Sequence, residues 1–278
     1  FGYQSLGFGG GSSSVLTDEL AYPTGIWMSS NYVISVSPIF HFDAAIIDGV
    51  NKNADSASPP VSGVTTVDEW KDRSGNTAVD YDATQTYAPW QPTYHLSSGV
   101  EFLRGGNMPM NNTKTTATSG AFTYVAVADR PDTGTKFTPL GDSGSGAYNM
   151  LGYSNDYTLY VHSGSINTSI SPSVAQFDAA VADAQMVMSQ RSAISSDVPY
   201  RFLGNNVWGD KVTSVTFNVN HIGRSHNNYN TTGAQYEILF FDSFLGAADL
   251  NVIRNYFWTK YAISYDGVNL NDAANAFS

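Results

Sequence analysis

GAQYEILFFDSFLGAADLNVIRNYFWTKYAI, residues Gly233 to Ile263, is the stretch that decides the fold. Its first half carries four consecutive apolar residues, Ile238 to Phe241, so both faces of an extended segment over Gln235–Phe241 would be buried, which is the pattern of a central strand. The second half changes period. Leu250, Ile253, Phe257 and Tyr261 fall three and four apart, one face of a helix of about 14 residues. Gly246 stands at the N-cap, and Asp249 three residues later makes a weakened capping box, its carboxylate near the positive end of the helix. A buried strand therefore runs directly into a short amphipathic helix that must lie back on a sheet.

Working outward, composition bounds the rest. A chain of 278 residues can bury a core as one large sandwich or as two small domains. Charged residues make up only 13%, while 17 Tyr and 15 Phe accompany abundant Gly, Ser, Thr and Asn, which favours strands and long polar loops over helical bundles. The net charge of −11 repels a phosphate backbone and the 13 basic residues do not cluster, so no nucleic-acid partner is expected. With no cysteine, disulfides and thiolate metal sites are excluded. No apolar run approaches the roughly 18 residues of a membrane-spanning helix, so no membrane insertion is expected, and no secretory signal is visible at the N-terminus.

The chain opens FGYQSLGFGGGSSS, a glycine-rich and uncharged segment that buries too little to fold alone. Residues 1–20 are assigned to an N-terminal docking arm anchored by Phe1, Tyr3, Leu6 and Phe8, residues 21–265 to a single sandwich, and residues 266–278 to a C-terminal tail. Within the sandwich, Tyr32–Val50 reads as a strand pair broken by Pro38, and Asn51–Ser62 as a polar loop. In VDEWKDRSGN, Val67 to Asn76, Trp70 is a buried anchor and Asp72, Ser74, Gly75 and Asn76 form a turn. Short strands are expected at Gly99–Phe102, Ala121–Ala128, Tyr157–His162 and Ala184–Ser189, and an alternating one at Val212–His221. Pro131–Asn149 reads as a glycine-rich loop. Many short strands between turns, with one late helix, indicate a two-sheet sandwich.

Several of these pieces, in their order along the chain, resemble the concanavalin A-like (laminin-G-like) jelly-roll domains common in bacterial and phage proteins. They are Phe42-Asp43-Ala44, Trp70 to Asn76, Ala83 with Gln85, Gln91-Pro92, Val100 with Phe102, Ile222-Gly223-Arg224, and Gly233 to Tyr261 with Glu237 and Lys260-Tyr261. The match runs over roughly residues 32 to 262; it departs in Gly246, where a serine or threonine cap is usual, and in Asp142–Asn206, which does not align. The resemblance implies an all-β jelly-roll sandwich with one short C-terminal helix. It does not fix function, because the fold serves as glycan-binding module, glycosidase and virion surface domain alike. The leader more loosely resembles glycine-aromatic openings of tailed-phage structural proteins.

A glycosidase needs two carboxylates facing one site. Glu237 and Asp242 are five positions apart on an extended segment and point to opposite faces, and the glucanases that resemble this fold carry a second acid where Leu239 stands here. Glu237 is instead read as a satisfied acid at the sheet margin, paired with Arg73 or Arg224. Gly141-Asp142-Ser143-Gly144 has the look of a protease nucleophile loop, but no histidine motif accompanies it, and His41 lies in a strand pattern. The five histidines show no paired metal spacing. No cofactor and no metal site are expected; calcium is the one ion the resemblance leaves open, because jelly rolls often hold one, with Asp142, Asn155 and Asp156 as candidate ligands but no recognisable ligand loop.

Glycan binding needs an aromatic face beside amides. Trp90, Tyr94 and His95, with Tyr87, offer the first on one loop; Asn227, Asn228 and Tyr229, with Asn230, offer the second on another. Asn111, Asn167 and Asn230 begin N-glycosylation sequons of the kind that Asn/Thr-rich loops produce by chance. The leading expectation is a non-enzymatic virion surface protein of a tailed phage. It would dock through the arm onto other capsid or tail proteins, itself or as a homo-oligomer, and display a lectin-like sandwich that binds host polysaccharide. The alternatives are a bacterial extracellular carbohydrate-binding module and, behind it, a glycoside hydrolase.

Overall fold

The computed structural model describes residues 20–23, 32–47, 60–97, 100–117, 120–129, 137–142, 150–153, 159–163, 166–170, 185–192, 197–202, 207–212, 216–225, 229–230, 233–261, 264–265 and 268–269. The docking-arm residues Phe1, Tyr3, Leu6 and Phe8 lie outside them. The early strands are β1 (Leu20–Ala21), β2 (Tyr32–Val33), β3 (Phe40–Asp43), β4 (Glu69–Trp70), β5 (Ala83–Thr84), β6 (Thr93–Ser97), β7 (Val100–Arg104), β8 (Met108–Thr116) and β9 (Phe122–Asp129). Then come β10 (Phe137–Gly141), β11 (Met150–Tyr153), β12 (Leu159–Ser163), β13 (Ile166–Ile170), β14 (Gln185–Arg191), β15 (Asp197–Phe202), β16 (Val207–Val212) and β17 (Phe217–Ile222). The chain closes with β18 (Arg224–Ser225), β19 (Tyr229–Asn230), β20 (Ala234–Phe241), the helix α1 (Ala247–Tyr261), β21 (Ser264–Tyr265) and β22 (Val268–Asn269).

Two antiparallel sheets make an all-β sandwich. One runs β13-β12-β11-β10-β17-β8-β5-β4; the other runs β16-β15-β14-β9-β20-β7-β6, with β3 also paired to β20. The expected strand at Gln235–Phe241 is β20, flanked by β9 on one side and by β3 and β7 on the other. Its two faces are buried for different reasons. Phe240 stacks on Phe40 at 5.1 Å and lies 6.0 Å from Phe122, inside the sandwich. Each such phenylalanine contributes roughly 1.5–3 kcal/mol by leaving water. Glu237 faces the other way, toward α1, whose Tyr256 bonds it.

Strand β3, Phe40-His41-Phe42-Asp43, repeats this alternation. Phe40 and Phe42 enter the core, Phe42 meeting Trp70 at 5.4 Å, while His41 and Asp43 turn toward the helix. Trp70 is the anchor expected, 1% exposed, with its indole N–H donating to the Asp43 carbonyl. The turn after it is built by side chains: Asp72 accepts from the Ser74 amide, Ser74 from the Asn76 amide, and Asn76 from the Ala78 amide, with Gly75 at φ +75°.

Several expectations are corrected. The region read as a loop after Pro131 contains β10, because Leu140 is fully buried and pairs with Ile222, and a register shift between Phe137 and Leu140 admits Pro139. The alternation over Val212–His221 covers the end of β16 and most of β17, which belong to different sheets. The two segments either side of Pro38 do not pair with each other; β2 joins β1 and β3 joins β20. Asp249 does not close a capping box. Its carboxylate accepts from the Ser35 amide and hydroxyl at 2.8 and 2.6 Å, tying the chain after β2 to the first turn of α1.

Candidate functional site

The sequence-predicted aromatic cluster divides. Tyr94 and His95 are neighbours on β6, so they face opposite sides of the sheet. Tyr94 is 3% exposed in the core, and burial holds its hydroxyl up to about 12; its ring is not available for stacking on a ligand, which corrects its assignment as a site residue. His95 lies half-buried against Phe102, ring planes 5° apart at 5.1 Å, and burial together with the Arg104 charge lowers its pKa. Tyr229 pairs through its backbone with Ser225 in the β18–β19 hairpin, while Asn227 and Asn228 lie outside the described residues.

Trp90 and Tyr87 remain at the surface, 39% and 56% exposed. Their rings meet edge to face, centroids 5.2 Å apart and planes at 84°, around a 3-10 turn over Ala88–Trp90. The loop beneath them is held by its own hydrogen bonds. Gln85 accepts from the Tyr87 amide and donates to the Asn107 carbonyl, Gln91 donates to the Gln85 carbonyl, and the Trp90 carbonyl accepts from the Asn107 amide. Gly106 underlies this support at φ +81°, where a β-carbon would come within 2.5 Å of the Pro92 nitrogen. The aromatic pair thus stands on a preformed base rather than on a loop that must order on binding. Beside it, Val61, Val64 and Leu96 are exposed where residues 61–67 bond to the β6 edge.

A second cluster, which sequence reasoning missed as a unit, lies between β3, β20 and α1. Asp43 Oδ2 accepts from Arg73 at 2.9 Å and Lys260 at 2.5 Å. Glu237 accepts from Lys260 at 2.8 Å, from the Tyr261 hydroxyl at 2.7 Å and from the Tyr256 hydroxyl at 3.0 Å, and His41 Nε2 sits 2.5 Å away. Asp43, Glu237, His41 and Arg73 are all 0% exposed. Glu237 is therefore central rather than marginal, and its lysine partner is Lys260, while Arg73 pairs with Asp43; the Arg224 side chain lies outside the described residues. Burial first, then the charges of Glu237 and Asp43, push the Tyr261 hydroxyl well up and keep it a donor.

His41, Asp43 and Glu237 bring ligand atoms within 4.8 Å of one another, but the cationic positions beside them are taken by the ammonium of Lys260 and the guanidinium of Arg73. The donor set therefore fits these side chains and not a metal ion. No substrate reaches the Glu237 carboxylate, and Asp242, at the opposite end of the strand, pairs with Lys114. The tempting Glu237/Asp242 pair is not an active site.

An open recess of about 220 Å³ is lined by Asp72, Asn76, Thr77, Val79, Asp80, Tyr81 and Asp82. Asp72 accepts from the amides of His41 and Ser74, each at 2.8 Å, and from the Ser74 hydroxyl. Burial outweighs these bonds and pushes its carboxyl up to about 6. Asp82 accepts from the Asp72 amide, and Asp80 from the Asp82 amide and Asn111. Of the calcium candidates, Asp142 is buried and accepts from Asn220 at 2.9 Å, and Asn155 and Asp156 lie outside the described residues.

No family model matches the chain, and no curated protein does. Among solved structures, it is similar to a Trypanosoma rangeli sialidase with difluorosialic acid, at TM-score 0.48 and 10% identity over 81% of this chain and 34% of that one. It is also similar to a mutant GH54 α-L-arabinofuranosidase, at TM-score 0.48 and 13% identity over 92% of this chain and 64% of that one. A third is an arabinofuranosidase complexed with arabinofuranosyl-α-1,2-xylobiose, at TM-score 0.45 and 12% identity over 82% and 60%. The chain thus spans about a third of the sialidase's length and less than two thirds of either arabinofuranosidase. The expectation of a non-enzymatic tailed-phage virion protein is corrected here: these structures are glycoside hydrolases, and nothing among the described residues points to a phage particle.

Proposed function

We propose that this chain is a carbohydrate-binding sandwich of the concanavalin A-like kind, working outside the cell, with Trp90 and Tyr87 as its stacking residues. The observation that carries the reading is the exposed ring pair on a hydrogen-bonded base. A sugar's C–H face is apolar enough to leave water against an aromatic ring, while its hydroxyls need polar partners at the rim. The loop of Asn227, Asn228 and Tyr229 is proposed as a source of such partners. Trp90→Ala is expected to weaken binding of oligosaccharides at least about tenfold without loss of folding. A glycan array followed by titration checks it, and wild-type affinity in the variant would remove Trp90 from the site.

A second reading, glycoside hydrolysis, is favoured by the acidic recess and not by Glu237. Such chemistry needs one carboxyl that stays protonated near neutral pH and a second that is ionised nearby. Asp72, raised to about 6, holds its proton to higher pH than an ordinary carboxyl and so approaches the first property, and Asp80 and Asp82 line the same recess. On a panel of chromogenic pentosides and hexosides, any turnover is expected to fall at least about a hundredfold in Asp72→Asn and in Asp82→Asn. Wild-type inactivity across the panel would leave binding alone.

A further inference from the structure

We infer that the Tyr87/Trp90 corner takes a single sugar residue of a soluble glycan, and not the flat face of an insoluble polysaccharide; the inference rests on the carbohydrate reading above. Two rings can lie on one flat sugar sheet only if their planes are nearly parallel. Here the planes stand at 84° with centroids 5.2 Å apart, so one ring at most lies flat on any such surface while the other meets it edge-on. The same angle suits an isolated sugar, which offers an apolar face to one ring and a rim to the other. The Tyr87 hydroxyl has no hydrogen-bond partner among the described residues and lies on an exposed side chain, so it is available to a sugar hydroxyl.

Bringing the rings into one plane gives up their edge-to-face contact, and the base beneath them does not move to help. The amide of Tyr87 and the amide and carbonyl of Trp90 are all bonded, to Gln85, Tyr87 and Asn107 respectively, and Gly106 packs directly under Pro92. Coplanarity requires rotation about the side-chain bonds of Tyr87 or Trp90, since the bonded backbone does not bring the planes together. A contact confined to one residue also limits what a longer chain can add.

The test uses the full chain and gluco-, xylo-, galacto-, arabino- and N-acetylglucosamine oligomers of one to six residues, titrated calorimetrically, with sedimentation on crystalline cellulose and chitin in parallel. Tyr87→Ala, Trp90→Ala and Trp90→Phe report on the corner, the last keeping a ring should the alanine variant fail to fold. The expected result is binding in at least one series that changes less than about threefold from two residues to six and falls at least about tenfold in both alanine variants, while the protein stays in the supernatant when cellulose and chitin are sedimented. Affinity that climbs with every added residue, or Trp90-dependent adsorption to cellulose or chitin, overturns the inference while the carbohydrate reading stands. Absence of any Trp90-sensitive binding, soluble or insoluble, overturns both.

Discussion

Lys260→Met is expected to destabilise the fold by about 3–5 kcal/mol, the cost typical of removing one partner from a buried ion pair. Lys260 is the cation shared by Asp43 and Glu237, each 0% exposed, and methionine fills its volume without replacing its charge. Arg73 still faces Asp43, so the uncompensated charge falls mainly on Glu237, which keeps only its tyrosine hydroxyls and His41. Denaturant unfolding measures the loss. Adding Glu237→Gln to the variant should recover part of it, because the neutral amide no longer needs the cation. A change below about 1 kcal/mol in the single variant would mean that the network does not hold α1 to the sheet.

The second large effect is a pH dependence at Asp72. Its carboxyl is raised from 3.8 to about 6 by burial, so between pH 4 and 6 the folded chain binds this proton more tightly than the unfolded chain. Stability from this group is therefore greatest at low pH and is lost as pH rises toward 6, above which the penalty of the buried carboxylate is complete. Its full size is up to about 3 kcal/mol. Asp72→Asn keeps an acceptor for the His41 and Ser74 amides and removes the titration. Subtracting the variant's unfolding free energies from the wild type's at pH 4, 5, 6 and 7 should give a slope of that sign; a flat difference would show an ordinary carboxyl.

What was legible in the sequence follows from how local the signal is. Ile238 to Phe241 and the Leu250/Ile253/Phe257/Tyr261 spacing carry their own periods, and β20 and α1 appear where those periods lie. The Asp72 to Asn76 turn is equally local, since each side chain bonds an amide two residues on. Strand β10 was hidden because Pro139 and the glycines around it read as loop, and it is pairing with β11 on one side and with β17, some 80 positions away, on the other that makes it a strand.

The ion network was hidden for the same reason at greater range. Asp43 and Lys260 are separated by 217 positions, and no window of sequence contains both. One signal was present, for Lys260 follows Tyr256 by four and Phe257 by three, which puts a cation on the helix's buried face. The Tyr94/His95 error was avoidable from strand parity alone. The exposure of Trp90 was not, because it depends on how the Gln85 and Asn107 bonds set the loop.

The clasp between the first described strands and the helix has a mechanical side. Among the described residues β1 and β2 pair with each other and with no strand of the sandwich, and the Tyr32 hydroxyl and Ser35 bind Thr259 and Asp249 of α1. A pull applied at Leu20 is therefore shared between two routes, one through α1 with Lys260 as the rivet behind it, and one through the Tyr22 hydroxyl, which lies 3.1 Å from His41 Nδ1 on β3 and donates to the Arg73 carbonyl. Single-molecule stretching from residue 20 should find a first rupture that weakens in Lys260→Met, while stretching across β9 and β14 should not. Load entering at the early strands is thus split between the C-terminal helix and strand β3, and the Lys260 network couples the two.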